Sequence, residues 1–74
     1  MSVEFLLVSY SKDGSKEDRT VLADGNSVGV TNHILMLPAG AYEISLEGDG
    51  YVPKTQNVTL NGTSLMRPKV LTFT

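Results

Sequence analysis

The sequence predicts an all-β fold, a small antiparallel β-sandwich of about six or seven strands. Three observations support this prediction. Glycine, proline and other turn-forming residues interrupt the chain about every ten residues. No window shows the i, i+3, i+4, i+7 apolar spacing that an amphipathic helix requires. Several segments between the turns alternate apolar and polar residues, as strands with one buried face do.

The first strand is predicted over Val3–Tyr10, which is rich in β-branched and aromatic residues. Apolar residues occupy both of its faces around Phe5–Val8, so we expect a central strand that is covered on both sides. The charged segment Lys12–Arg19 follows. Because it mixes both charge signs with turn-forming residues, it predicts a solvated loop.

A hairpin and a further strand are predicted next. Thr20–Ala23 has the composition of a short strand, and Asp24-Gly25-Asn26 supplies residues that tolerate positive φ in a tight turn. Val28–Val30 resumes the pairing after that turn. The following strand is Asn32–Leu37, which ends at Pro38.

The middle of the chain predicts a turn and a strand with one wet face. Pro38-Ala39-Gly40 is a turn, because proline fixes φ ahead of a glycine that can adopt the left-handed conformation. Ala41–Leu46 then alternates, with Tyr42 and Ile44 on its apolar face. Gly48-Asp49-Gly50 turns the chain again.

The last third predicts two more strands. Val52-Pro53 indicates a sheet edge or a corner, because proline cannot donate a ladder hydrogen bond. Gln56–Leu60 alternates once more, and Asn61-Gly62 marks the next turn. Val70–Phe73 is the final predicted strand.

Composition limits the classes of function. At 74 residues the chain is expected to form one domain, residues 1–74. A net charge of -2 with only six Lys and Arg residues argues against nucleic acid as a partner. The apolar run Val3–Val8 is too short to cross a bilayer, so no membrane insertion is expected. We expect a cytoplasmic protein if the chain is complete, and a cell-envelope location if it is a module of an exported protein.

No pattern of catalytic or metal-binding residues stands out, and the absence of cysteine excludes disulfides and thiolate sites. His33 is the only histidine, and it has no nucleophile elbow or suggestively spaced partner. Glu43, Glu47 and Asp49 are close in sequence, but they lack the spacing of a calcium-binding loop. The sequence therefore predicts no catalytic residue, no cofactor and no metal site.

A recognisable motif covers about the last two thirds of the chain. Its residues are Asp24, Gly25, Gly29, Thr31, Pro38, Gly40, Tyr42, Gly50 and Tyr51. Their order resembles the PEGA domain, a small prealbumin-like β-sandwich module of bacteria and archaea that is similar to carboxypeptidase regulatory-type domains. Lys16–Arg19 stands where the Pro-Glu-Gly-Ala of that family would precede Val21, and Asn32 replaces a common proline. The resemblance implies an accessory module of surface-layer-like and envelope proteins, without catalytic residues.

Tyr42 and Tyr51 are interpreted as core aromatics whose hydroxyls reach backbone groups at the rim, rather than as a platform for stacking sugars. Ile34 and Met36 are the candidate partner surface. They alternate with Leu35 and Leu37, so they face away from the core if these leucines face it. Either the chain's own termini cover them, or they form an exposed apolar strip that marks a partner surface.

These observations predict a non-catalytic structural or interaction module. It would space, anchor or join proteins through a strand edge or through the face that carries Ile34 and Met36, and its partner would be a copy of itself or another protein. The alternative is a carbohydrate-binding module for cell-envelope polysaccharide. That function would need an exposed tyrosine or tryptophan flanked by polar side chains, and the chain has three tyrosines and no tryptophan.

Overall fold

Eight β-strands form two sheets in the computed structural model, which describes residues 3–74. The strands are β1 Val3–Lys12, β2 Ser15–Lys16, β3 Thr20–Ala23, β4 Asn26–Val30, β5 Ile34–Pro38, β6 Gly40–Leu46, β7 Gln56–Leu60 and β8 Lys69–Phe73. The predicted all-β class is confirmed, and seven of these strands correspond to predicted ones. Residues 3–74 include no helix long and apolar enough to cross a membrane.

The first sheet is built around β1, which is long enough to pair on both sides. It pairs antiparallel with β5 along residues 3–7 and parallel with β8 along residues 6–10. β2 folds back onto its end, with Ser11 opposite Lys16. Among the described strands β1 and β8 form the one parallel pair, and this pair places the first and last strands side by side.

The second sheet has the strand order β4-β3-β6-β7 and is antiparallel throughout. Its first hairpin turns at Asp24 and Gly25, which have φ angles of 51° and 84°. Positive φ at both central residues suits the right-handed twist of paired strands, and an Asp-Gly pair tolerates it. A shift of register between Val21 and Leu22 bends the hairpin.

The core lies between the two sheets and follows from the alternation along each strand. Its buried apolar side chains are Leu6, Val8, Tyr10, Val21, Ala23, Leu35, Leu37, Ile44, Leu46, Val58, Leu60, Leu71 and Phe73. Val28, Tyr42 and Tyr51 are half-buried and pack against this core. Every long strand except β4 contributes at least two buried apolar side chains, so the two sheets share one core.

Four connections carry the chain between the sheets: residues 17–19 from β2 to β3, residues 31–33 from β4 to β5, residue 39 from β5 to β6, and residues 61–68 from β7 to β8. The predicted turn at Pro38 therefore joins strands of different sheets. Leu35 and Leu37 meet the β6 side chains across the core rather than along one sheet.

The prediction of a solvated loop over Lys12–Arg19 is wrong in part. Asp13 and Gly14, with φ angles of 53° and 81°, form a second tight turn that lets Ser15–Lys16 pair with β1. Arg19 is half-buried, and its guanidinium lies 5.0 Å from the ring centre of Tyr10. Cation–π contact and the hydrogen bond from Arg19 Nη1 to the Asp49 carbonyl, 2.7 Å, hold this arginine against the domain.

Candidate protein-interaction surface

The outward sides of β1, β5 and β8 in the first sheet form an uncharged surface. Its positions are Val3, Phe5, Leu7, Ser9, Ser11, Ile34, Met36, Pro38, Val70 and Thr72. We call this set the uncharged face. The pairing register brings its members together, because Phe5 lies opposite Met36, and Leu7 lies between Ile34 and Val70. Lys16 of β2 lies at one end of the sheet, opposite Ser11.

Four apolar side chains of the uncharged face are well exposed. The exposed fractions are 67% for Met36, 54% for Val3, 52% for Val70 and 39% for Ile34. The prediction that Ile34 and Met36 face away from the core is confirmed, since Leu35 and Leu37 are buried. No part of residues 3–74 covers the strip, so coverage by the chain's own termini is not observed within that range.

The expectation that β1 is covered on both sides is wrong. Its inward side chains are buried, whereas Phe5 and Leu7 on the outward side are only half-buried. Sequence reasoning therefore missed Val3, Phe5, Leu7 and Val70 as part of the candidate surface. The signal was the apolar content of both faces of β1, which has two explanations: a second covering layer or an exposed apolar face.

The outward side of the second sheet is different in character. It carries an open depression lined by Asp24, Ala41, Tyr42, Glu43, Asn57, Val58 and Thr59. Asp24 and Glu43 bring carboxylates to it and Asn57 an amide, and Asp24 Oδ1 accepts a hydrogen bond from the Glu43 backbone amide at 2.9 Å. Polar side chains of this kind are typical of a solvated sheet face. The outward side of the second sheet thus carries acidic side chains that the β1, β5 and β8 positions of the first sheet lack.

The two predicted rim tyrosines are anchored to the backbone. The Tyr42 hydroxyl donates to the Pro38 carbonyl at 2.6 Å. The Tyr51 hydroxyl donates to the Leu46 carbonyl at 2.8 Å and accepts from the Leu46 amide at 3.1 Å. Tyr51 also packs edge to face on Phe73, with ring centres 5.6 Å apart. Both tyrosines are therefore fixed as parts of the sandwich, as the sequence indicates.

Two of the remaining motif residues have specific contacts. A Cβ atom on Gly29 would overlap Leu35 Cδ2, and Gly29 has a φ of 152°, so the position favours glycine. Thr31 is fully buried, and its hydroxyl accepts from the Arg19 amide at 2.9 Å and donates to the Glu17 carbonyl at 2.8 Å. These hydrogen bonds of Thr31 join the segment before β3 to the connection between β4 and β5.

The candidate catalytic and metal-binding residues remain scattered. His33 Nε2 lies 3.5 Å from Asp18 Oδ2, and both side chains are more than half exposed. Within residues 3–74 no group of three His, Asp or Glu side chains is close enough to hold a metal ion. Glu43, Glu47 and Asp49, which the sequence places near one another, are therefore not brought together as a ligand set.

One buried carboxylate has a structural partner. Glu4 faces inward at the start of β1 and is buried, and its Oε1 accepts from the Thr63 amide at 2.8 Å and from the Thr63 hydroxyl at 2.7 Å. These two hydrogen bonds, the backbone one first, lower the pKa of the Glu4 carboxyl, while desolvation acts in the opposite direction. The Thr63 hydroxyl also accepts from the Phe5 amide at 2.7 Å. Thr63 thereby fastens the connection between β7 and β8 to β1.

The sequence matches the family model described as PEGA domain over residues 9–72. This range begins within β1 and ends within β8, so the match spans both sheets. Comparison with curated proteins and with solved structures gives no match.

Proposed function

The chain belongs to the PEGA domain family, a family of small accessory domains, and we propose that it is a non-catalytic module that binds another protein through the uncharged face. The exposed apolar strip of β1, β5 and β8 is the observation that supports this function. Contiguous apolar patches on small soluble domains usually mark contact surfaces. A partner of matching chemistry presents an uncharged, apolar surface, because a charged one would lose its hydration without gaining an ion pair.

The alternative function, binding of cell-envelope polysaccharide, has weaker support. Sugar-binding sites use an exposed aromatic ring as a stacking platform. Every aromatic residue of the chain lies within the described range, and each is buried or half-buried: Phe5, Tyr10, Tyr42, Tyr51 and Phe73. The protein-binding function therefore accounts better for the exposed surface.

Site-specific photo-crosslinking tests the proposal in the cells that produce the protein. A photoreactive p-benzoylphenylalanine replaces Val70 on the uncharged face, and in a matched control it replaces Thr59 on the outward side of the second sheet. We expect position 70 to crosslink to one defined protein and position 59 not to do so. Adding Ile34→Lys and Met36→Lys should remove the crosslink, because two buried charges without partners oppose the contact. Equal crosslinking from both positions, or none from position 70, contradicts the proposal.

A further inference from the structure

The outer edge of β5 carries backbone groups without a strand partner. The Asn32 amide donates to the Val8 carbonyl at 2.7 Å, so even-numbered residues of β1 direct their polar groups toward the β5 side. The Phe5 amide points the other way, to Thr63 Oγ1. Leu35 and Leu37, which lie opposite Leu6 and Glu4, therefore bond to β1. The N–H and C=O groups of Ile34 and Met36 point away from the sheet, where the described strands provide no partner.

The free part of this edge is short and well defined. At one end Pro38 has no N–H group, and its carbonyl accepts the Tyr42 hydroxyl at 2.6 Å. At the other end Asn32 is in the left-handed conformation, with φ 66°, and turns its amide toward β1. Two donors and two acceptors remain, one of each on Ile34 and on Met36.

The opposite edge of the same sheet is covered. Val52 and Thr74 exchange backbone hydrogen bonds of 2.7 and 2.8 Å alongside β8, and Gln56 Nε2 donates to the Thr72 carbonyl at 2.7 Å. Proteins commonly protect edge strands with charges, bulges or covering segments. β5 has no charged residue and no bulge in its pairing with β1. The contrast marks β5 as an edge open to pairing.

We propose that β5 pairs antiparallel with β5 of a second copy of this chain, about a two-fold axis at Leu35. In that register Ile34 lies opposite Met36 of the second copy, and Met36 lies opposite its Ile34. Each pair exchanges two hydrogen bonds, so all four donors and all four acceptors of the two edges are satisfied. The edge is thus complementary to itself, as a two-fold interface requires.

The side chains of β5 and their lack of charge also favour a second copy of the chain as the partner of this edge. The outward Ile34 and Met36 side chains of the two copies become neighbours, and cross-strand apolar pairs stabilise a sheet. Since no charged side chain lies on β5, pairing two copies brings no like charges together. The uncharged faces of the two copies join into one continuous surface. This inference goes beyond the proposed function, because it concerns the backbone edge and an identical chain rather than the side-chain surface and another protein.

Sedimentation equilibrium over micromolar to millimolar concentrations tests the pairing. The wild-type chain should form a dimer. Met36→Pro should remain monomeric with unchanged circular dichroism, because proline removes an N–H group that faces solvent in the single copy and that the dimer needs. In the matched control Met36→Thr, the amide and the strand preference are kept, so the dimer should persist. A tenfold or greater rise in the dissociation constant is expected for the proline variant alone.

Amide hydrogen exchange of the wild-type chain gives an independent test if the proline variant does not fold. The Ile34 and Met36 amides should exchange fast at low concentration and become protected as the dimer forms. A wild-type chain that stays monomeric at millimolar concentration, a proline variant that still dimerises, or edge amides that stay unprotected overturns the proposal. The crosslink from position 70 to another protein does not require the β5 edge, so failure of one proposal leaves the other testable.

Discussion

The Asn32 side chain replaces a backbone hydrogen-bonding partner of β1 at the point where the chain passes from β4 in the second sheet to β5 in the first. Asn32 Oδ1 accepts from the Tyr10 amide at 3.2 Å, and Asn32 Nδ2 donates to the Tyr10 carbonyl at 3.2 Å. The amide group of this side chain thus imitates a strand residue beside β1. Asn32 stands where the PEGA pattern commonly has proline, and asparagine also tolerates the left-handed backbone found there. The departure from the family pattern therefore has a local structural explanation.

The hydroxyls of Tyr10 and Tyr51 should have opposite effects on stability. The Tyr10 hydroxyl is buried without a hydrogen-bond partner, whereas the Tyr51 hydroxyl makes two hydrogen bonds to Leu46. Tyr10→Phe should leave the free energy of unfolding unchanged or raise it by about 1–3 kcal/mol, because an unsatisfied group is removed. Tyr51→Phe should lower it by about 1–3 kcal/mol, because two backbone groups lose their partner.

Urea unfolding of the two phenylalanine variants and the wild type measures this difference. The variants form a matched pair, since each removes one oxygen atom from a tyrosine that contacts the Arg19 guanidinium. A loss of stability in Tyr10→Phe as large as that in Tyr51→Phe would show that the Tyr10 hydroxyl has a partner in solution.

The Glu4 carboxylate should make stability depend on pH in the acid range. Its pKa is lower in the folded chain than in the unfolded chain, because Thr63 donates two hydrogen bonds to the charged form. Its contribution is complete above the unfolded pKa of about 4.3 and is lost as the pH falls through the lowered folded value. The stability difference between wild type and Glu4→Gln should therefore shrink over that window.

Thermal unfolding of both proteins between neutral pH and the acid limit of folding measures this difference. Thr63→Val serves as an intermediate case, because it removes the hydroxyl donor and keeps the backbone donor. A difference between wild type and Glu4→Gln that is constant with pH would show that the carboxylate does not gain from the fold.

The hairpin of β3 and β4 depends on a glycine that contacts β5 in the other sheet. Gly29 and Gly40 have nearly the same φ, 152° and 151°, but a Cβ atom would have a neighbour within 4 Å only at Gly29. Gly40→Ala should cost about 1–3 kcal/mol of backbone strain. Gly29→Ala should cost about 1–3 kcal/mol more, because the methyl group meets Leu35, which is packed in the core and has little room to move.

Chemical denaturation of the two alanine variants separates strain from steric overlap. Equal losses of stability at the two positions would show that the Leu35 side chain adapts without cost. A second comparison tests whether contact with Leu35 causes the additional loss of stability in Gly29→Ala. Adding Leu35→Ala to Gly29→Ala should recover part of the loss beyond additivity, because the two positions are in contact.

The strands that sequence patterns predict are those with apolar alternation or a strong turn signal. Ala41–Leu46 and Gln56–Leu60 alternate clearly, and both lie within or coincide with observed strands. β2 has only two residues, Ser15 and Lys16, so no alternation exists to detect. The sequence signal available for a hairpin here was the Asp13-Gly14 pair, which repeats the Asp24-Gly25 turn pair. The two pairs have nearly the same φ angles in the structure. The charge of its neighbours favoured a loop over a hairpin.

The pairing of the strands into sheets is harder to predict from the sequence than the positions of the strands. The connection over residues 61–68 carries no pattern that tells whether β8 pairs with β1 or continues beside β7. Hydrogen bonds between Thr63 and the residues Glu4 and Phe5, which are 59 and 58 residues away in the sequence, fasten this connection to β1 and so favour the pairing of β8 with β1. Ile34 and Met36 were predictable because alternation within one strand suffices. Val3 and Val70 joined the same surface only through pairing between strands.

The parallel pairing of β1 and β8 makes the last strand a requirement for both sheets. Phe73 is fully buried in the core that the sheets share, and it contacts Tyr51 in the segment between β6 and β7. Phe73→Ala should lower the free energy of unfolding by about 3–5 kcal/mol, in the range for truncation of a buried aromatic side chain. Thr72→Ala, on the exposed side of the same strand, should change it by no more than about 0.5 kcal/mol.

Amide hydrogen exchange shows how far this loss spreads. Because one core holds both sheets, amides of β1 in the first sheet and of β6 in the second should lose the same protection in Phe73→Ala. Loss of protection in β1 alone would mean that the second sheet stays folded after the first opens. The expected result is a single cooperative unit, in which a change in the last strand is felt equally in a sheet that this strand does not join.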